Sequence, residues 1–327
     1  MCRPLTMFWK RQPQKPASGN PFLIWLILLI GVALAVVGHS VFGETLLSPT
    51  VGEAQANHPL DTATSANVLE PPPGLQSHLE QLAARYPGKN AVLVRSIDQR
   101  WVAGVRGATQ FSQGTLRRIW LGAALLEAVD NGELSLDQRV PLLASGSPEP
   151  ARSEKVRALL EKAVAEDDRM AQDEILAGLM GDAGMTAWLE RREFEEIAFG
   201  PSNRDLARIG SSKQARGAAP DGSTPDGIAF ALGELFGGRV LKEETTSLLL
   251  QQFVQQSQSP ETSGWQVFRL TGVSPLVGPA VSAGAVALVR SRAGQRFVVV
   301  IFCTGAPQPI NNRDRLLADA VAALRRY

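Results

Sequence analysis

The sequence predicts an α+β fold: an antiparallel sheet built from N- and C-terminal strands, with flanking helices and an inserted helical lobe, preceded by one transmembrane helix. Three observations predict it. Short apolar or β-branched runs occur near 91–105 and again over 265–303, the stretch between them carries helical spacing, and Phe22–Val37 is an unbroken apolar or glycine run.

Residues 1–20 form a basic tail with Arg3, Lys10, Arg11 and Lys15 and no acidic residue. Residues 21–42 are predicted to be a transmembrane signal anchor, since the uncharged run from Pro16 to Phe42 is long enough to cross the hydrocarbon core. Downstream, Glu44, Glu53, Asp61, Glu70 and Glu80 all precede the next basic residue, Arg85. That asymmetry places the N-terminus in the cytoplasm and the C-terminal domain outside it, a single-pass cell-membrane protein with a periplasmic domain. Cleavage by a signal peptidase is the competing reading, because Ala33-Leu34-Ala35 and Gly43 supply small residues in or just beyond the apolar run. A buried core helix does not fit a segment lying between a basic tail and a polar linker.

Residues 43–74, rich in Pro, Ser and Thr and closing on Pro71-Pro72-Pro73-Gly74, read as a flexible linker with a stiff end. The folded domain then spans 75–327. Leu75, Leu79, Leu82, Ala83 and Tyr86 recur at helical spacing until Pro87-Gly88. Two strands follow, Ala91–Ile97 and Trp101–Val105. Helices are predicted from about Thr115, then over Ser153–Ala165, Asp168–Met180, Met185–Arg192, Pro225–Phe236 and Lys242–Gln255. Three strands close the sheet, Trp265–Leu270, Val281–Val289 and Phe297–Cys303, with Ala293-Gly294 as the hairpin between the last two. The final helix, Arg313–Arg326, packs through Leu316, Leu317, Ala320, Val321 and Leu324.

At 44% hydrophobic over 327 residues the chain can bury a substantial core. Its 33 Lys and Arg against 32 Asp and Glu offer no electrostatic footprint for nucleic acid. Cys2 and Cys303 fall on opposite sides of the predicted membrane segment and form no disulfide framework. The histidines are His39, His58 and His78, in the membrane segment, the linker and the first helix, so a Ser-His-Asp triad or a His-rich metal site has almost nothing to draw on, and no cofactor or metal is expected. On a buried strand, Cys303 reads as inert packing.

One stretch carries more: Phe111–Val140, FSQGTLRRIWLGAALLEAVDNGELSLDQRV. Its apolar helix and VDNGELSLDQRV tail resemble the nucleophile helix of the serine β-lactamases and penicillin-binding proteins, the D-Ala-D-Ala peptidase fold, in which a Ser-x-x-Lys opens the helix. The order of elements over roughly 75–327 matches that family, with class A β-lactamases as the nearest pattern. The resemblance places Thr115 at the nucleophile position and Arg118 at the lysine position. A guanidinium stays protonated and only donates, so Arg118 cannot take a proton as a lysine can. Ser112 is the alternative hydroxyl, and the plain structural reading makes Thr115 an N-cap and Arg118 an ion-pair partner.

The family's Ser-Asp-Asn motif corresponds by resemblance to Asp167-Asp168-Arg169, and its Lys-Thr-Gly to Leu270-Thr271-Gly272. If these motifs face each other as in the family, Arg118 should pair with Asp167. Arg269 should point away from the cleft, because strand side chains alternate. Ser202–Arg208 and Gly222–Leu232 resemble the ends of the loop that carries a deacylating glutamate, which puts Gly210 at the glutamate position. Glu195 and Glu196 read as surface charges on a helix. The resemblance therefore implies a membrane-anchored, exported β-lactamase-like domain without normal acyl-enzyme turnover, binding a cell-wall peptide or a protein partner. The alternative is an active serine- or threonine-type hydrolase, β-lactamase or D-Ala-D-Ala peptidase-like, using Thr115 or Ser112.

Overall fold

The computed structural model describes residues 69–142, 153–200, 221–255, 264–274 and 281–327. The predicted tail, transmembrane segment and most of the linker, as well as Ser202–Arg208 and Gly210, lie outside them. Among the described residues no helix is long and apolar enough to cross a membrane.

Leu75, Leu79 and Leu82 form the buried stripe of helix α1 (Leu75–Arg85). The chain then runs through β1 (Lys89–Ser96), β2 (Val102–Val105) and the two-residue β3 (Phe111–Ser112). A 3₁₀ turn (Gly114–Arg117) leads into α2 (Arg118–Asp130), which is buried from Arg118 to Glu127. A helix apolar all round belongs inside the protein, and this one is the axis of the helical lobe. Around it stand β4 (Arg139–Pro141), β5 (Ser153–Lys155), α3 (Val156–Val164), α4 (Arg169–Ile175), a π-helical turn (Leu176–Met180) and α5 (Gly181–Arg191). Glu127 ties α2 to α5 by accepting from Trp188 Nε1 at 2.8 Å and Arg192 Nε at 2.9 Å.

The chain returns through β6 (Gly222–Ser223), α6 (Pro225–Phe236), α7 (Glu243–Gln251), β7 (Val254–Gln255), β8 (Gln266–Val273), β9 (Ser282–Arg290), β10 (Arg296–Thr304) and α8 (Pro309–Leu324). Six strands make one sheet in the order β2-β1-β10-β9-β8-β7, every neighbour antiparallel. β10 is central because both its faces are apolar. Val298, Val300 and Phe302 pack toward the lobe, while Val299, Ile301 and Cys303 pack under α1 and α8. The two ends of the described domain thus build one sheet and its middle builds the lobe.

Several expected boundaries move. Ser153–Lys155 pairs as a strand with β4 instead of starting a helix. The α-helix after Asp168 stops at Ile175 and widens into the π turn. The helix expected to reach Gln255 ends at Gln251, where Phe253 turns inward onto Phe236, ring centroids 5.7 Å apart, and Val254-Gln255 pairs with β8. The last helix begins at Pro309, whose fixed φ suits a first turn, rather than at Arg313. Glu195 and Glu196 lie in a turn beyond α5, not on a helix.

Candidate active site

Thr115 does not cap a helix. It sits inside the 3₁₀ turn, buried, with no side-chain cap bond there, so that part of the structural reading is corrected. The turn is shaped by Gly114, which adopts φ 53°, and a Cβ there would fall 2.3 Å from the Val273 carbonyl oxygen. Only glycine takes that conformation and that approach at low cost.

One turn on, at the first residue of α2, Arg118 extends its guanidinium into the space between lobe and sheet. Nε donates to the Val164 carbonyl at 2.8 Å and Nη2 to the Thr271 carbonyl at 3.0 Å. Nη1 donates to both the carbonyl and the hydroxyl oxygen of Thr115, each at 3.0 Å, and lies 2.9 Å from Asp167 Oδ1. One side chain therefore joins the turn, the end of α3, the loop before α4 and strand β8. The ion pair expected between Arg118 and Asp167 is present, with Arg118 6% and Asp167 38% exposed. Burial lowers the Arg118 guanidinium from its ordinary value and Asp167 opposes that shift. An arginine starts so high that it stays charged and donates only.

Asp167 reaches the pair from a left-handed backbone, φ 57°, a conformation aspartate tolerates better than most residues. Its Oδ1 also accepts from Gln172 Nε2 at 2.9 Å. The next residue, Asp168, takes the capping role by accepting from the Met170 and Ala171 amides at 2.8 and 3.1 Å. Arg169, the first residue of α4, is exposed.

On the sheet side Leu270 turns into the core with the lobe, so no cation can act from that position. Arg269, its neighbour along an alternating strand, lies on the other face. Gly272 permits the closest approach of turn and strand: a Cβ there would fall 2.6 Å from the Leu116 nitrogen. The Val273 amide directs its N–H at Thr115 Oγ1, a longer contact of 3.4 Å. Thr115, Arg118, Asp167 and Thr271 thus meet in one network, with Gly272 supporting it through packing.

Chemically, the Thr115 oxygen receives donors where a nucleophile needs a base. Acyl transfer also needs N–H groups aimed at the developing oxyanion, and the Val273 amide faces the hydroxyl instead. Ser112, the other hydroxyl, is also engaged. Its Oγ donates to the buried Asp221 carboxylate, 2.8 and 3.0 Å from the two oxygens, and lies 2.9 Å from Ser274 Oγ. Asp221 Oδ2 accepts from the Gly114 amide at 2.8 Å as well, so this carboxylate braces the turn.

Asp221, Gln172 and Arg313 had no signal in the sequence. Arg313, buried on α8, donates from Nη1 to the Gly272 carbonyl at 3.2 Å while its Nη2 pairs with Asp314 at 2.9 Å. Its charge is committed within the fold. Among the described residues no group of three or more His, Cys, Asp or Glu side chains is arranged to hold a metal ion.

Residues 74–327 match the model of a family described as the beta-lactamase enzyme family. No curated protein matches the chain. Among solved structures it is similar to a β-lactamase from Chitinophaga pinensis, at 18% identity and a TM-score of 0.65, covering 76% of this chain and 97% of that one. It is similar also to an ancestral (GNCA) class A β-lactamase, at 23% identity and a TM-score of 0.64, covering 77% of this chain and 99% of that one. The TLA-3 extended-spectrum β-lactamase gives 14% identity and a TM-score of 0.64, with 76% and 96% covered. At such identities the likeness is one of fold.

Proposed function

The chain belongs to the beta-lactamase enzyme family, and from that premise we propose that it is a membrane-anchored, exported member that has lost acyl-enzyme turnover and binds a cell-wall peptide or a protein partner. One observation carries the reading. The group one helical turn from Thr115 is a guanidinium donating to the Thr115 hydroxyl oxygen at 3.0 Å and to three backbone carbonyls. A base must accept a proton from the nucleophile, and arginine has no lone pair for it.

The network also explains why Arg and Asp stand together. A buried arginine needs a carboxylate and good acceptors, and Asp167, Val164, Thr115 and Thr271 supply them. The family's fold is kept around this network, so what is proposed to be lost is the chemistry alone. Anchoring is supported by the apolar run Phe22–Val37 and the basic residues before it. The periplasmic placement is tested by protease protection: in intact spheroplasts the domain should be digested, and a protected domain overturns that part.

A second reading, an active hydrolase working through Ser112, draws on the Ser112–Asp221 contact. Covalent labelling with a fluorescent penicillin separates the two. Loss of label in Ser112→Ala or Thr115→Ala would identify the working hydroxyl, whereas an unlabelled wild-type protein supports the pseudoenzyme.

A further inference from the structure

At the opposite edge of the sheet from Thr271, a cavity of about 390 Å³ opens between the β1–β2 ladder, the start of α6 and the turn after α5. Its size is within the range of small-molecule sites. Arg95 and Val102, register partners on β1 and β2, form one wall. Phe194 and Phe230 form an aromatic floor, and Asp226 and Glu196 face in from the other side.

The cavity is lined by charges of both signs, Arg95 on one side and Asp226 and Glu196 on the other, with no salt bridge between them. Arg95 lies over the Phe230 ring, 5.4 Å from its centroid, which leaves the edge of its guanidinium for another acceptor. Among the described residues, neither the Arg95 guanidinium nor the Asp226 carboxylate makes a hydrogen bond or ion pair; the charge that most offsets Arg95 is Glu234, itself paired with Arg239, and Asp226 acts on it more weakly. Burial, and then Glu196, raise Asp226 above the ordinary carboxylate range, with Arg95 opposing. Glu196 is fixed beside it by the Thr224 hydroxyl, which also caps α6 by accepting from the Gly227 amide at 3.0 Å. Half-buried charges left without partners are costly, and a ligand that pairs both removes that cost.

The chemistry of the occupant follows from which single charges fail. A simple anion would meet Asp226, Glu196 and the rim residues Glu193 and Glu195 as well as Arg95. A simple amine would leave the Arg95 guanidinium without a hydrogen-bonding acceptor. A zwitterion satisfies both sides, and its apolar part meets Phe194, Phe230 and Val102.

We propose that this cavity binds an apolar α-amino acid as its zwitterion, with the ammonium between Asp226 and Glu196 and the carboxylate on Arg95. The site is separate from the Thr115 network and does not depend on whether that network is catalytic.

Calorimetric titration of the full chain in detergent with L- and D-phenylalanine tests it. Saturable binding of at least one hand is expected, weaker by about tenfold or more (~1.4 kcal/mol) for both N-acetylphenylalanine and phenylalanine amide. Arg95→Met and Asp226→Asn should each weaken phenylalanine by a similar factor while the protein still melts in one cooperative transition. The blocked ligands report on the unsubstituted protein, so the test stands even if a variant fails to fold. Equal affinity for the amide and the free amino acid, affinity unchanged in either folded variant, or no saturable binding up to on the order of 10 mM overturns the proposal.

Discussion

Replacing Asp167 by alanine isolates the ion pair at the centre of the network. Removing one member of a buried pair typically costs ~3–5 kcal/mol, because the other charge is stranded. Here the cost is smaller for two reasons visible in the structure. Asp167 is 38% exposed, so water can replace part of it, and Arg118 keeps the Val164, Thr115 and Thr271 carbonyls as acceptors. We expect a loss of about 2 kcal/mol, which for a domain of this size lowers the melting midpoint by roughly 4–8 °C. Arg118→Met should cost more, roughly 3–5 kcal/mol, since it strands the carboxylate, two buried carbonyls and the half-buried Thr271 carbonyl. The double variant should lose less than the sum, with a coupling of about 1–2 kcal/mol in urea unfolding of the full-length protein. Additivity within about 0.5 kcal/mol would show that the two side chains do not act on one another, and the account of the site would lose its centre.

Other expectations follow from single contacts. Asp221→Ala removes the acceptor of both Ser112 Oγ and the Gly114 amide, so chemical denaturation should show a loss of about 3 kcal/mol; a loss under about 1 kcal/mol sinks the bracing role. Asp226 has a folded pKa raised by burial and Glu196, so the native state holds this proton more tightly than the unfolded chain does. Its contribution is therefore intact below the unfolded value of about 3.9 and declines as pH rises through the folded one. Asp226→Asn should accordingly stabilise the protein at neutral pH, with the gain disappearing in acid, and a loss of stability at pH 7 contradicts the sign. Burial pushes the Cys303 thiol up to about 12. In a Cys2→Ser background a thiol reagent should react at neutral pH only as the protein unfolds, and rapid modification of the native state argues against the placement of Cys303 inside β10.

The long apolar helix and the sheet strands were legible because periodicity and β-branched runs report burial directly. Val298–Cys303 is apolar at every position, and the structure buries both faces. Strands of two or three residues carry no period to read, which is why β3, β4, β5, β6 and β7 were missed or merged into helices. Arg118 facing Asp167 was legible because the two motifs had recognisable shapes and a substitution that made sense only as a pair. Asp221 was not, because its contact with Ser112 spans 109 residues of sequence and depends on β3 and β6 meeting. Arg313 was hidden for a similar reason: on a helix it looks like any surface arginine, and only the docking of α8 on β9 and β10 brings it to the Gly272 carbonyl.

The most direct test of the central claim is acylation of the full-length protein by a fluorescent penicillin, followed on a denaturing gel beside Thr115→Ala. With Arg118 donating to the Thr115 oxygen and no base in its place, no covalent label should appear in either protein. Robust labelling of the wild-type chain that vanishes in Thr115→Ala would contradict the account and show that Thr115 is a working nucleophile.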